Sequence, residues 1–239
     1  MRDAPNPAEV NMRNELEVFS YAVSHDLRTP LRHIQSFTEL LTEHLQESLD
    51  DQGRHYLHVI ANAALEMDDL INNLIPLFKI NDSIVNIEKV NLNILLAEVV
   101  DSFQSETSGR KIEWDIGKLP ELYSDSNLLR TVMTNLISNA LKFTRFQDTA
   151  HIRIAAETAN PDFILLMIKD NGVGFEMKNK DKLFGVLQKM HNNKEFEGVG
   201  IGLAYVKRIV QKLGGTVSAT GELNHGAAFF VSLPAMRND

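Results

Sequence analysis

Two long helical stretches open the chain, and as a pair they cannot enclose a core. From Phe19 to about Leu45 apolar residues recur at the helical period, and the period returns from His55 to about Phe78. Between them, Glu47 to Arg54, with Asp50, Asp51 and Gly53, reads as a connecting loop. At about 100° per residue, Tyr56, Val59, Ile60, Ala63, Met67, Leu70, Ile71, Leu74, Leu77 and Phe78 share one broad face. Two helices with such faces are expected to meet a second copy, forming a dimeric four-helix bundle.

After the hairpin the pattern changes. Residues 79–90 are polar and weakly periodic, so the expected division is 1–18 as an N-terminal signalling helix or linker, 19–84 as the helical hairpin, and 85–239 as a second domain. There the sequence predicts a helix near Leu92 to Phe103, a strand at Lys111 to Ile116 and a long helix from Asn127 to Phe143. Strands at Ile152 to Glu157 and Phe163 to Lys169 follow, then a helix near Gly202 to Leu213 and closing strands at Thr216 to Thr220 and Ala227 to Leu233. The alternation lacks a strict parallel βαβ rhythm, which favours an α+β sandwich over a doubly wound sheet.

Composition narrows the partners. A net charge of -8 argues against a nonspecific nucleic-acid or anionic-membrane surface, so a phosphate ligand would have to be held locally. No stretch reaches the roughly 20 apolar residues of a membrane helix, so no membrane contact is expected from this segment. Met1-Arg2-Asp3-Ala4-Pro5 carries charge and proline where an export signal needs an apolar core, and a cytoplasmic location is expected. The absence of cysteine removes disulfides and thiolate chemistry.

On the first helix, Val23, Leu27, Leu31, Ile34, Leu41 and Leu45 fall at about 160–240° from His25, which therefore faces solvent. Thr29, four residues on, lies about 40° from His25 on the same exposed face. Pro30 is expected to bend the helix beyond this point. A neutral imidazole is a good nucleophile near pH 7, and the neighbouring Asp26 could take the proton on its other ring nitrogen. Taken alone, an exposed histidine such as His25 reads more readily as a solvated surface residue. The other histidines, such as His55 and His58, form no convincing ligand set with carboxylates or cysteines.

Three segments of the second domain carry chemistry. Asn135, Asn139 and Lys142 line one helix face at i, i+4 and i+7, a stripe suited to phosphate oxygens and a hydrated Mg²⁺, or simply to solvent. Asp170-Asn-Gly172-Val-Gly174 follows an apolar strand. It places a carboxylate that can accept from an exocyclic amine beside glycines that admit a flat ring, though the same string could be an ordinary Asn-Gly turn. Gly198-Val-Gly200-Ile-Gly202 opens a helix, where unsatisfied backbone N–H groups favour phosphate.

Phe19-Ser-Tyr-Ala-Val-Ser-His25-Asp-Leu-Arg-Thr-Pro30-Leu-Arg resembles the H box of sensor histidine kinases, especially those attached to phytochrome-like sensors. The three later segments, in this order, resemble the N box and the two G boxes of the histidine-kinase ATP-binding domain, of the gyrase and chaperone ATPase class. The resemblance extends from about Phe19 to Leu233 and implies a two-component transmitter: ATP-dependent phosphorylation of His25, then transfer to an aspartate of a response-regulator receiver domain. It implies His25 as phosphoacceptor, Asp26 as proton acceptor and Thr29 as the residue that positions water in a phosphatase reaction. It also implies Asn139 as the Mg²⁺ ligand, Asn135 and Lys142 as phosphate contacts, Asp170 as the adenine acceptor, and Phe184 as the F-box residue of a lid over the nucleotide. Val199 stands where many relatives carry threonine, so a hydroxyl contact to phosphate is missing. Alternatives are a transmitter acting mainly as a phosphatase and a noncatalytic nucleotide-binding scaffold; a gyrase-type ATPase would share the nucleotide boxes but not the His25 helix.

Overall fold

A computed structural model describes residues 7–45, 48–80, 84–160, 162–188, 196 and 200–235, and through residue 25 the backbone alone. The chain divides between Asp82 and Ser83 into two units.

The first unit pairs α1 (Pro7–His44) with α2 (Asp51–Lys79). α1 continues through Pro30. The helices meet at a small apolar cluster of Leu31, Ala64 and Ile71, with Ile75 against it. Arg28 Nη2 donates to Asn72 Oδ1 at 2.8 Å across the pair, and Asn72 Nδ2 in turn donates to Asp68 Oδ2 at 2.8 Å. Much of the apolar face is left open in the single chain: Leu27, Phe37, Leu40, Tyr56, Val59 and Leu65 are each 50% exposed or more.

α2 begins earlier than its apolar period indicates. The segment Asp51 to Arg54, which reads as loop, is its first turn, because Asp50 caps it by accepting the Gly53 N–H at 2.7 Å and Asp51 sits where the helix dipole favours a carboxylate. Arg54 Nη2 also reaches back to the Leu49 carbonyl at 3.1 Å.

The second unit is a five-stranded sheet in the order β2-β4-β5-β7-β6. Its strands are β2 (Ile112–Ile116), β4 (Ala150–Asn160), β5 (Phe163–Asp170), β6 (Thr216–Glu222) and β7 (Gly226–Pro234). β2 pairs with β4 in parallel and every other pair is antiparallel. Ile164, Leu166 and Ile168 of β5 bury one face of the strand at the pleat period of two. Against the sheet lie α4 (Ser126–Phe143) and α5 (Gly202–Lys212), and α3 (Leu92–Ser102) packs beside α4. Leu129, Val132, Met133, Leu136, Ile137 and Ala140 form the buried stripe of α4, each at most 2% exposed. The sandwich agrees with the sequence reading.

Two short elements differ from that reading. β1 (Glu88–Asn91) and β3 (Glu121–Ser124) form a separate antiparallel pair, with Lys89 Nζ 2.6 Å from Glu121 Oε2. β1 falls in the stretch that reads as polar connector: four residues with one buried side chain, Val90, carry too little period to register. Beyond β1, Asn91 caps α3 and Asn93 exchanges two hydrogen bonds with the Leu119 backbone, at 2.7 and 3.0 Å, locking that helix to the segment before β3.

Candidate nucleotide site and phosphoacceptor helix

α4 is held at both ends. Asp125 Oδ1 accepts the Asn127 and Leu128 N–H groups at 3.0 Å each, while its Oδ2 accepts Asn86 N–H at 2.9 Å. At the other end the Arg110 guanidinium donates to the Leu141 carbonyl at 2.9 Å and to Thr144 Oγ1 at 3.1 Å, satisfying groups that a helix terminus leaves open. Burial, with Arg145 adding repulsion, lowers the Arg110 pKa below the ordinary value of a guanidinium. Asn135, Asn139 and Lys142 sit half-buried along this fixed helix.

The loop after β5 docks on the last turn of α4. Val173 N–H donates to the Phe143 carbonyl at 3.2 Å, and a Cβ on Gly172 would lie 2.5 Å from that oxygen, so no side chain fits there. Gly174 has φ +61° and a Cβ on it would fall 1.9 Å from the Glu222 carbonyl, which makes glycine obligatory on two counts. Asn171 staples the loop sideways: its Oδ1 accepts His151 N–H at 2.8 Å and its Nδ2 donates to the Thr149 carbonyl at 3.0 Å.

Asp170 ends β5 with 3% exposure. Its Oδ1 accepts Gly172 N–H at 2.8 Å and Ala227 N–H at 3.4 Å. Burial pushes its pKa from 3.8 up to about 6, against the opposing pull of those two donors. At pH 7 it is therefore a buried carboxylate with acceptor capacity to spare, suited to an amine-bearing ligand.

The second glycine run meets α4 near its middle. A Cβ on Gly202 would lie 2.7 Å from Asn135 Oδ1, so the first residue of α5 and the first asparagine of the stripe are in direct apposition. Asn135 Nδ2 donates to the Thr131 carbonyl at 2.8 Å. Ile201, the N-cap of α5, contributes no side-chain capping bond, and Gly200 holds φ +76° just before it. Gly198 and Val199 lie outside the described residues, whereas Phe184 is half-buried in the turn after a 3₁₀ helix, Met177–Lys182.

Ala227 N–H, Asn171 and Gly226, whose Cβ would lie 2.0 Å from the Asp170 carbonyl, are contributions that sequence reading missed. The Asn-Gly and His-Gly pairs mark turns, but only the sheet register brings residues 57 apart together.

In the helical unit, Asp26 and Thr29 lie exposed on α1. His25 belongs to the same helix, and its side chain lies outside the described residues.

Residues 15–83 match the His Kinase A (phospho-acceptor) domain, and residues 124–237 match the family described as Histidine kinase-, DNA gyrase B-, and HSP90-like ATPase. Cyanobacterial phytochrome A of Nostoc sp. is 28% identical over 92% of this chain and 28% of its own length. Methanogenesis regulatory histidine kinase FilI of Methanothrix harundinacea is 29% identical over 95% of this chain and 25% of its own, and the aerobic respiration control sensor ArcB of Escherichia coli is 28% identical over 91% and 28%. The chain thus spans little more than a quarter of these relatives. Full-length ShkA, solved in complex with AMPPNP, has a similar fold, with TM-score 0.64, 24% identity, and coverage of 91% of this chain and 46% of that one. The histidine kinase AdeS of Acinetobacter baumannii gives TM-score 0.60 at 20% identity over 90% of this chain and 98% of its own. With a phospho-acceptor match on the hairpin and an ATPase match on the sandwich, the chain belongs to the sensor histidine kinase family as a transmitter core, similar to those of phytochrome-like sensors.

Proposed function

We propose that this core phosphorylates its own His25 from MgATP and passes the phosphoryl group to an aspartate of a response-regulator receiver domain. The observation that carries the reading is a buried carboxylate, Asp170, framed by glycines that tolerate no side chain, in the same chain as an H-box helix with Asp26 and Thr29 exposed.

In this reading Asp170 accepts a hydrogen bond from the adenine amino group, and Gly172 and Gly174 let the loop dock on the Phe143 and Glu222 carbonyls and so hold that carboxylate in place. Asn135 and Lys142 contact phosphate oxygens. The first turn of α5, which opens at Gly202 two residues after Gly200, offers backbone N–H groups and a positive dipole end to the same charges, and Gly198 belongs to the same glycine run of the sequence. Phe184 belongs to the lid that excludes water. Asn139, half-buried with a hard carboxamide oxygen, fits a Mg²⁺ ion that retains waters and takes few protein ligands. When bound, Mg²⁺ would neutralise charge on the phosphates during transfer. His25 supplies a ring nitrogen as nucleophile to the γ-phosphorus as the bond to the β-phosphate oxygen breaks and ADP departs, and Asp26 takes the proton from the other ring nitrogen.

The exposed Leu27, Phe37, Leu40, Tyr56 and Val59 support homodimerisation through the hairpin, where a second copy would cover them. An ATP-consuming site of this kind belongs in the cytoplasm.

The test is incubation of the purified chain with γ-labelled ATP and Mg²⁺. An acid-labile label that maps to His25 and disappears in His25→Gln, with ATP binding retained, is the expected result. Label persisting in that variant would refute the assignment.

A further inference from the structure

The last turn of α4 carries an aromatic cluster that the nucleotide contacts above leave unused. Phe196 is only 8% exposed, with its ring 5.2 Å from that of Phe143 at a 50° tilt and 5.6 Å from that of Phe146 at 72°. These separations and tilts fall in the range where aromatic pairs attract through edge-to-face contact. On the Phe143 ring also sits the Lys142 ammonium, its Nζ 4.4 Å from the centroid, within cation–π reach. Phe146 itself remains 61% exposed, so the cluster is a surface feature built beside the site and not a buried piece of core.

The arrangement concentrates three connections on one residue. The Phe143 carbonyl holds the loop of Gly172 and Val173, its ring carries the Lys142 ammonium, and the same ring meets Phe196, two residues before Gly198 of the second glycine run. A lysine stem has four rotatable bonds, and a fixed ring beneath the ammonium selects among its rotamers. The ring is fixed in turn by the phenyl packed on it.

We propose that Phe196 is a positioning residue for phosphate binding: by packing on the Phe143 ring it fixes the surface over which the Lys142 ammonium is held. The inference rests on the nucleotide site proposed above. In the proposed site the adenine is met by Asp170 with its Gly172 and Ala227 donors, a different set of residues from the Phe196–Phe143–Lys142 stack, so the two halves of the ligand should respond differently.

The experiment measures ATP and adenosine affinities by titration calorimetry for the wild-type chain, Phe196→Leu, Phe196→Tyr and Lys142→Ala, and for the double variant Phe196→Leu/Lys142→Ala. Leucine keeps an apolar side chain there without a ring, so folding should survive, and thermal melting checks it. Phe196→Leu is expected to weaken ATP about tenfold and adenosine less than about twofold, with Phe196→Tyr restoring the wild-type value. In the Lys142→Ala background the same substitution should add no more than about twofold, because the interaction it supports is already gone. Equal losses for ATP and adenosine, a full loss that persists without Lys142, or unchanged ATP affinity in Phe196→Leu would each overturn the proposal. A wild-type chain that binds no ATP would instead overturn the nucleotide site itself, and this inference with it.

Discussion

Replacing Asp170 by asparagine should stabilise the ATP-binding unit while crippling its affinity. The carboxyl is 3% exposed and its pKa stands at about 6 against an ordinary 3.8, so the folded state binds its proton more tightly than the unfolded chain does. Stability from this group is therefore full below about pH 4 and is lost as pH rises to about 6, by at most about 3 kcal/mol. Asparagine is neutral and nearly isosteric, and its Oδ1 can keep both the Gly172 and Ala227 donors, so the variant escapes that loss. Without nucleotide, the melting temperatures of wild type and Asp170→Asn should coincide near pH 4, separate as pH rises from about 4 to about 6, and stay apart by a constant gap above that, the variant higher by up to roughly 6–12 °C for a unit of this size. ATP affinity should fall at least about 10²-fold, because an amide nitrogen would replace the acceptor that the adenine amine needs. Wild-type ATP affinity should also weaken about tenfold per pH unit below pH 6, as the carboxyl takes up its proton. Differential scanning fluorimetry across pH 4–8, with calorimetric titration of ATP, measures both limbs. A melting difference that does not change with pH, or a variant less stable at every pH, would refute the burial argument.

Thr29→Ala should leave forward phosphotransfer largely intact and slow dephosphorylation of the partner on the order of 10²-fold, the value of one positioning hydrogen bond; equal decay of labelled regulator with either protein would reduce Thr29 to a surface residue. Gly174→Ala places a Cβ 1.9 Å from the Glu222 carbonyl at φ +61°, so the ATP-binding unit should lose several °C of melting temperature together with ATP binding, and an unchanged melt would contradict the loop geometry.

Local pattern is strong enough to place α4 and β5, because a seven-residue apolar stripe and a short continuous apolar run each fit within a single window. The candidate site is written in the sequence as separate strings, each ambiguous alone, and it is their order that carries the family resemblance. What escaped was nonlocal. β1 has one buried residue and a partner some thirty residues onward, so no local window contains its cause. The start of α2 was misplaced because Asp50 to Gly53 has loop composition, and a capping carboxylate is what turns such a segment into a first helical turn. The Ala227 donor to Asp170 exists only through the β5–β7 register.

Asp125 has a mechanical consequence. One carboxylate grips the foot of α4 through Oδ1 and the Asn86 backbone through Oδ2, four residues into the second unit. The opening segment of that unit is therefore pinned to the very rod that bears Asn135, Asn139 and Lys142, so a pull on the Asn86 backbone would be felt first at the N-cap of α4.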